Sequence, residues 1–535
     1  MPDDSTVHRC RTLVIGSGLA GMYFALQVAD RGPVVILTKT APESSNTRWA
    51  QGGVSAVFDG QDSLDSHIAD TLRVGAGLCR QDMVQRAVEL GPKLVRRLAD
   101  DYGVQFDRND SDPEKFALGR EGGHTHNRVV HHADTTGAEM VRALLERVAA
   151  HPNITLIDHT MVVDLLSFTK VDGTRGCFGC YALMPSGRVE AWVAPVTVLA
   201  SGGGGKVYRY TSNPDVATAD GVAIAYRIGA TVANLEFMQF HPTCLFHPDA
   251  KSFLVSEAVR GEGAILRTKA GADLMKDRHP MGSLAPRDVV AREIDAELKR
   301  SGEPCVMLDA THLDAKRVEE RFPAIFRRCL ELGIDMRTEP LPVVPAAHYM
   351  CGGVEVDVMG RTDVPGLLAI GEVSMSGMHG ACRLASNSLL EAMALADGAA
   401  AVCDDYSREP PTRVDAWNIG DAVHSDEAFM VSANWEEVRA LMWNFVGIVR
   451  SDKRLDRALR RIVLLRDEIH EYYWRFLVTR EALELRNLAL VGHLIIECAR
   501  RRKESRGLHY TIDYPDTLPE FQCDTVFNKR QGPDA

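Results

Sequence analysis

Residues 16–21 read Gly-Ser-Gly-Leu-Ala-Gly. They follow the apolar run Thr12-Leu-Val-Ile15 and precede the apolar Met22-Tyr-Phe-Ala-Leu. That order predicts a strand, a tight turn and a helix, and a second apolar run from Val34 to Leu37 completes a βαβ unit. Gly16 permits the turn, Gly18 lets backbone approach a pyrophosphate, and Gly21 lets helix and strand lie close. The free N–H groups and positive dipole at the helix start suit an anion. The unit therefore predicts a doubly wound, mostly parallel α/β sheet that binds a dinucleotide. An acid usually ends the second strand and binds the adenosine ribose. Here Thr38 and Lys39 stand there. Thr38 offers a hydroxyl, whereas Lys39 has only donors.

The chain has 535 residues, enough for several domains. Its formal charge of −12 disfavours a basic nucleic-acid binder. No apolar run approaches the roughly 18–20 residues of a membrane span, and the first residues, MPDDSTVHRC, make a poor signal peptide. Twelve cysteines are an ordinary free-thiol load in a chain this long. The C-x-x-C pair Cys177 and Cys180 has no second pair or His beside it, so packing is its expected role. These features point to the cytoplasm, without membrane or nucleic acid.

Apolar spacing predicts a helix over 83–99, broken near Gly91-Pro92, and another over 137–150. The run Val196-Thr-Val-Leu-Ala200 reads as a buried strand that delivers a second glycine cluster at 202–205. Near 235 short apolar segments become interrupted by polar groups, and the sheet-like pattern returns at 364–371. The expected organisation is a first part of the dinucleotide domain over 1–235, an inserted α+β capping domain over 236–345, a second part over 346–406, and a C-terminal helical bundle over 415–520. Leu455, Ala458, Ile462, Leu465, Ile469, Tyr472 and Phe476 form one helical stripe, and Trp474 and the neighbouring tyrosines are expected in the same core. Thr479 is placed to cap a helix over 480–500, and the tail after Pro515 shows no clear order.

Four segments carry the polar groups suited to chemistry. They are Arg120-Glu121-Gly-Gly-His124-Thr-His126, Gln239-Phe-His241-Pro-Thr243, Ser256-Glu257 through Arg260-Gly-Glu262 with Arg287-Asp288 downstream, and His348-Tyr349 with Arg383-Leu-Ala-Ser-Asn387-Ser388. Several Arg and His with few free acids suit a small dianionic substrate, since Arg pairs with carboxylate geometry. His124, His126, His131 and His132 do not have metal-ligand spacing, so no metal is expected. No G-x-S-x-G string supports a nucleophilic serine.

Taken together, G-S-G-L-A-G at 16–21, A-Q-G-G at 50–53, H-P-T at 241–243, S-E-x-x-R-G-E-G at 256–263, P-R-D at 286–288, H-Y-x-x-G-G at 348–353, R-L-A-S-N-S-L at 383–389 and R-K-E-S-R-G at 502–507 resemble the fumarate reductase/succinate dehydrogenase flavoprotein family. The resemblance covers nearly the whole chain. R-E-G-G-H-T-H-x-R at 120–128 is most similar to its aspartate-oxidising branch.

The resemblance implies FAD as cofactor. Gly16, Ser17, Gly18 and Gly21 would face its pyrophosphate, and Thr38 and Lys39 its adenosine side. Ser45, Asn46, Thr47, Gln51 and Gly52 would surround the flavin, with Asp220 and Glu372 holding polar parts of the cofactor. Ser388 and Leu389 would point helix-start N–H groups at the flavin's pyrimidine edge. Membrane-bound relatives attach FAD through a His where this chain has Asn46, so non-covalent FAD is implied. His241, Ser256, His348 and Arg383 would meet the substrate carboxylates, Glu121 an ammonium, and Arg287 would carry a proton with Asp288 or Glu257 as relay. Ser256 and Cys382 stand where that branch usually has Thr and Asn. The implied activity is oxidation of L-aspartate to iminoaspartate with oxygen or fumarate as acceptor. That is the first step of quinolinate and NAD biosynthesis, with quinolinate synthase as a candidate partner. The alternatives are a fumarate reductase or succinate-oxidising flavoprotein, and a flavin-binding structural subunit.

Overall fold

The computed structural model describes residues 7–169, 175–250, 253–407 and 409–529. At its centre is an all-parallel five-stranded sheet in the order Leu367–Ala369, Val196–Leu199, Thr12–Ile15, Val34–Leu37, Ile154–Ile157. Four of these strands are buried along their whole length or nearly so, as parallel strands covered on both faces must be. The helix Asn387–Val402 packs on both Leu19–Val28 and Gln81–Asp100, and Leu19–Val28 lies against the strands Thr12–Ile15 and Val34–Leu37. The strand Arg175–Leu183, from a second four-stranded sheet, packs on Val196–Leu199. Ile15, Leu37, Ala200 and Ile370, all at or just beyond the carboxyl ends of these strands, open into one cavity. That is where doubly wound sheets bind ligands.

A separate apolar core, drawn from residues 245–343, lies beneath a four-stranded antiparallel sheet. The strand order is Met238–Leu245, Leu341–Met350, Val306–Asp309, Ile265–Arg267. The first two strands are the long ones. They run from this cap into the dinucleotide-binding body and carry His241 and His348 to the junction.

Helices Phe429–Val446, Asp452–Arg475 and Arg480–Arg501 pack mutually. Only residues 476–479 join the last two, so these run antiparallel. Thr479 accepts from Ala482 N–H at 3.3 Å, the cap its position implied. Leu455, Ala458, Ile462, Leu465 and Ile469 are buried as their spacing predicts.

Three expectations need correction. The helix Gln81–Asp100 is continuous through Pro92. Its buried stripe of Met83, Val84, Val88, Leu94, Val95 and Leu98 outweighs the roughly 3 kcal/mol that an internal proline costs. Trp474 is 65 % exposed and Tyr473 takes the buried position instead. From Pro515 to residue 529 the tail is ordered: Val526–Phe527 pairs with Val232–Ala233, and Arg502 donates to the carbonyls of Phe521 and Cys523 at 2.8 Å each. Among the described residues no helix is long and apolar enough to cross a membrane.

Candidate active site

The cavity holds about 620 Å³ between the carboxyl ends of the parallel strands and the cap. Of the residues expected to meet FAD or the substrate directly, together with Arg287, all but Gly21 line it. Gly21 is a packing residue. A Cβ there would lie 2.2 Å from the Gly16 carbonyl oxygen, so its smallness lets the helix cross the turn, and it stands outside the cavity lining. Gly16 has φ +115°, and a Cβ on it would strike the Ala200 carbonyl at 2.2 Å.

Beside the glycine turn, Ser17 Oγ lies 3.0 Å from Thr38 Oγ1 and 2.8 Å from the Pro42 carbonyl. Lys39 Nζ reaches Asp220 Oδ2 at 2.7 Å and Glu484 Oε1 at 2.8 Å. Asn487 Nδ2 donates to the other Asp220 oxygen at 2.8 Å. Helix Arg480–Arg501 of the C-terminal region therefore buttresses this wall.

Further along, Asn46 Nδ2 donates to Glu372 Oε2 at 2.8 Å and Met350 N–H to Glu372 Oε1 at 3.2 Å. Burial pushes the Glu372 carboxyl above its ordinary range, and these two bonds only partly offset that. Asn46 Oδ1 and Ser201 Oγ are buried in this wall without a hydrogen-bond partner among the described residues. The helix Asn387–Val402 begins here, with Ser388 and Leu389 on the cavity side. Asn387 is turned away and anchors the helix start through Ser55, His67 and Thr71.

At the cap side the cationic and imidazole groups converge. Arg383 donates through Nε and Nη2 to Gln239 Oε1 at 3.2 and 3.0 Å, and through Nη1 to Ser388 Oγ at 3.1 Å. Its guanidinium also stacks 4.5 Å over the Tyr349 ring. The fork is thus fixed before any ligand arrives. His241 and His348 have ring centroids 5.7 Å apart. Burial lowers the pKa of both well below the ordinary value, with Arg287 first among the nearby charges at His241 and Arg383 first at His348. Both rings are neutral. His241 Nδ1 accepts from Thr243 N–H at 3.3 Å, so its proton sits on Nε2. Ser212 Oγ lies 2.7 Å from His348 Nδ1. Ser256 Oγ accepts from Ala258 N–H at 3.3 Å and keeps its own proton to donate.

Arg287 Nε donates to Glu257 Oε2 at 2.5 Å. Burial opposes the Arg287 charge, but Glu257 and Glu121 more than offset it, and its pKa moves up. Asp288 pairs with Arg292 at 3.2 Å, so of the two expected relay residues Glu257 is the one bonded to Arg287. Glu121 Oε2 accepts from Ser386 Oγ at 2.6 Å. Its loop is anchored by His124, whose Nε2 lies 2.8 Å from the Ala385 carbonyl, and by Arg128, buried against Asp62 and Asp70.

Cys382 does not line the cavity. Burial pushes its thiol up to about 12, so the departure from Asn leaves a neutral, inert side chain behind the wall. His126, His131 and His132 also stand outside. Ser212, Tyr349 and Ser386 belong to the site, and sequence reasoning gave none of them a role. Each acts by holding a residue far along the chain, a relation that no local spacing shows. No group of three metal-ligand side chains occurs among the described residues.

The family model described as "FAD binding domain" matches residues 11–389, and "Fumarate reductase flavoprotein C-term" matches residues 435–533. The chain is 51 % identical to L-aspartate oxidase 1 of Ralstonia nicotianae over 95 % of its own length and 96 % of the relative's. It is 50 % identical to L-aspartate oxidase of Pseudomonas aeruginosa, covering 96 % and 97 %. The chain belongs to the L-aspartate oxidase family. Solved structures similar to it include Mycobacterium smegmatis Sdh1, with a TM-score of 0.85, 30 % identity and coverage of 98 % and 94 %. A variant of E. coli quinol fumarate reductase FrdA has a TM-score of 0.84 and 29 % identity over 96 % and 93 %. As a member of the L-aspartate oxidase family the chain has an FAD-binding domain, and the cavity fits that group. The glycine turn leaves room for a pyrophosphate, and the unpartnered Asn46 Oδ1 and Ser201 Oγ offer polar contacts where a flavin or ribityl chain would lie.

Proposed function

We propose that the chain oxidises L-aspartate to iminoaspartate with non-covalently held FAD. Oxygen as acceptor gives hydrogen peroxide, and fumarate gives succinate. Glu121 carries this reading. Among the described residues its side chain makes one hydrogen bond, to the neutral Ser386, so its charge is left for a cation. Glu257 and Asp220, which share the cavity, are already paired with Arg287 and Lys39. At the cap side, Arg383, Arg287, two neutral histidines and Glu121, which has no ion-pair partner among the described residues, suit two carboxylates and one ammonium. L-aspartate is that combination.

Arg383 and the Nε2–H of His241 would hold the substrate carboxylates, with Ser256 and His348 beside them. That clamp fixes the Cα–H at the short range a hydride transfer needs. When bound, FAD supplies the acceptor for that hydride. The substrate nitrogen must lose a proton as the C=N bond forms, and Glu121 orients it for that loss. Arg287, kept charged by Glu257, would hold the proton that carbon takes up when fumarate is reduced. Asn46 in place of a histidine supports the non-covalent link, since an amide cannot make that bond.

The product is the precursor of quinolinate and then of NAD, so quinolinate synthase is the expected consumer. Twelve free thiols accord with a reducing compartment, the cytoplasm.

The test is anaerobic addition of L-aspartate to the flavin-loaded protein. L-aspartate should bleach the yellow colour, and air or fumarate should restore it. Bleaching by succinate with none by L-aspartate would instead establish the fumarate reductase reading. No bleaching by any small dicarboxylate would leave a flavin-binding subunit.

A further inference from the structure

Glu121 is cupped between two residues. On one side Ser386 Oγ donates to its Oε2 at 2.6 Å. The same Oγ accepts from Gly53 N–H at 3.3 Å, which leaves the hydroxyl proton committed to the carboxylate. On the other side a Cβ on Gly52 would lie 2.4 Å from Glu121 Oε1, so only glycine leaves the carboxylate where it is. The loops that carry the pair are tied together next to the contact, through His124 and the Ala385 carbonyl.

Ser386 has φ +59° and ψ +5°, a left-handed conformation that glycine adopts freely and serine does not. It precedes the helix Asn387–Val402, yet its side chain makes no capping hydrogen bond. Helix capping therefore does not explain a serine in a strained position. The hydroxyl's contact with Glu121 does.

We propose that Ser386 is a positioning residue for Glu121, and that this pair, backed by Gly52, sets the preference for an amino dicarboxylate over a dicarboxylate without an amino group. The proposal rests on the reading that Glu121 meets the substrate ammonium. A carboxylate held in one rotamer before binding loses less freedom when the ammonium arrives. Fumarate and succinate have no ammonium and should not register the change.

The test uses the flavin-loaded enzyme with rates taken per bound flavin. Ser386→Gly removes the hydroxyl and relieves the backbone. Gly52→Ala crowds the carboxylate from its other side, its Cβ also falling 3.3 Å from Ser386 Oγ. Each should raise KM for L-aspartate by about tenfold, the scale of a hydrogen bond to a charged group. Ser386→Gly should leave KM for fumarate within about twofold. Ser386→Asn, which tolerates the left-handed backbone and restores a donor, should recover part of the loss. In a Glu121→Gln background Ser386→Gly should change the aspartate KM no further. Equal losses for both substrates, or an undiminished loss in the Glu121→Gln background, would overturn the proposal. So would failure of both single variants to hold flavin, which would assign the contact to the cofactor. An unchanged aspartate KM in Glu121→Gln alone overturns the reading of Glu121. A raised KM in Glu121→Gln with no effect of Ser386→Gly overturns only the positioning role.

Discussion

Lys39 Nζ lies 2.8 Å from Glu484 Oε1, and both side chains are largely buried, at 14 % and 9 % exposed. Lys39 follows the second strand of the dinucleotide unit, whereas Glu484 belongs to the C-terminal helix Arg480–Arg501. One ion pair thus ties this end of the cavity to the last large helix. Glu484→Gln leaves Lys39 with Asp220 as its remaining anion. The loss of stability should be about 1–2 kcal/mol, below the several kcal/mol of a fully orphaned buried charge. Because Lys39 and Asp220 line the cavity, FAD affinity should fall by about three- to tenfold, roughly 0.6–1.4 kcal/mol. Titration of the apoprotein with FAD, followed by flavin fluorescence, measures this. Unchanged FAD affinity would detach the C-terminal helix from the cofactor site.

His67 is buried against Asn387 Oδ1 at 2.9 Å. Burial lowers its pKa from the ordinary 6.5 to about 4, with Arg128 and His124 adding to the effect and the Asn387 bond opposing it. The folded state therefore refuses a proton that the unfolded chain accepts below about pH 6.5. The unfolded state binds more protons in that window, so stability falls as pH drops from about 6.5 towards 4. At pH 5 the His67 contribution is about 2 kcal/mol. His241, His348 and His509, all lowered by burial, act in the same direction. The urea midpoint of the apoprotein should be lower at pH 5 than at pH 7, and His67→Gln should shrink that difference. A midpoint that rose on acidification would contradict the assignment of neutral buried histidines.

Asn46 holds Glu372 through its amide nitrogen at 2.8 Å and turns its oxygen into the cavity wall. Acid precipitation of the loaded protein should leave all the flavin in the supernatant. Colour retained on the washed precipitate would show a covalent link formed elsewhere. Asn46→Ala removes a donor from the buried Glu372 carboxylate and should weaken FAD binding without changing where the colour goes.

The glycine turn, the cap and the helical end of the chain were legible because each rests on local pattern: a turn between two apolar runs, a change of texture near 235, a stripe at helical spacing. Pro92 misled because the local cost of a proline was weighed without the buried face of the helix around it. Trp474 misled because the stripe fixes which face is buried only to within one residue, and Tyr473 fills the place. The tail was unreadable because its order comes from partners at Asn234, Glu236 and Arg502, not from its own periodicity. In the site, the side chains suited to touching ligand were recognisable by type. Those that orient them were not, because a serine such as Ser212 or Ser386 looks like any loop serine until its partner is brought alongside.

Arg287 opens the helix Arg287–Ser301, directly after Pro286. A cation at a helix N-terminus is electrostatically misplaced unless an anion shares the space. Glu257 supplies that anion at 2.5 Å, and its own carboxyl stays ionised because Arg287 and Arg260 outweigh the cost of its burial. Arg260 lies 3.7 Å beyond Glu257, and its Nε and Nη2 are buried without hydrogen-bond partners among the described residues. With Asp288 engaged by Arg292, Glu257 is the neighbour in contact with Arg287 through which a spent proton can be replaced. Fumarate reduction needs a proton at carbon, whereas oxidation of L-aspartate with oxygen as acceptor does not. Arg287→Leu should therefore cut fumarate reduction by about 10²–10⁴-fold, the scale of a lost acid–base group. Aspartate oxidation should lose less, since only a cationic contact with the substrate is removed. Glu257→Gln keeps the shape but cannot carry a proton, so it should slow fumarate reduction more than aspartate oxidation. Steady-state rates with each acceptor, per bound flavin, separate these effects. If Arg287→Leu reduced fumarate at a near-native rate, the proton would have to come from another group, and the Arg287–Glu257 pair would be left as a structural clamp on the helix start.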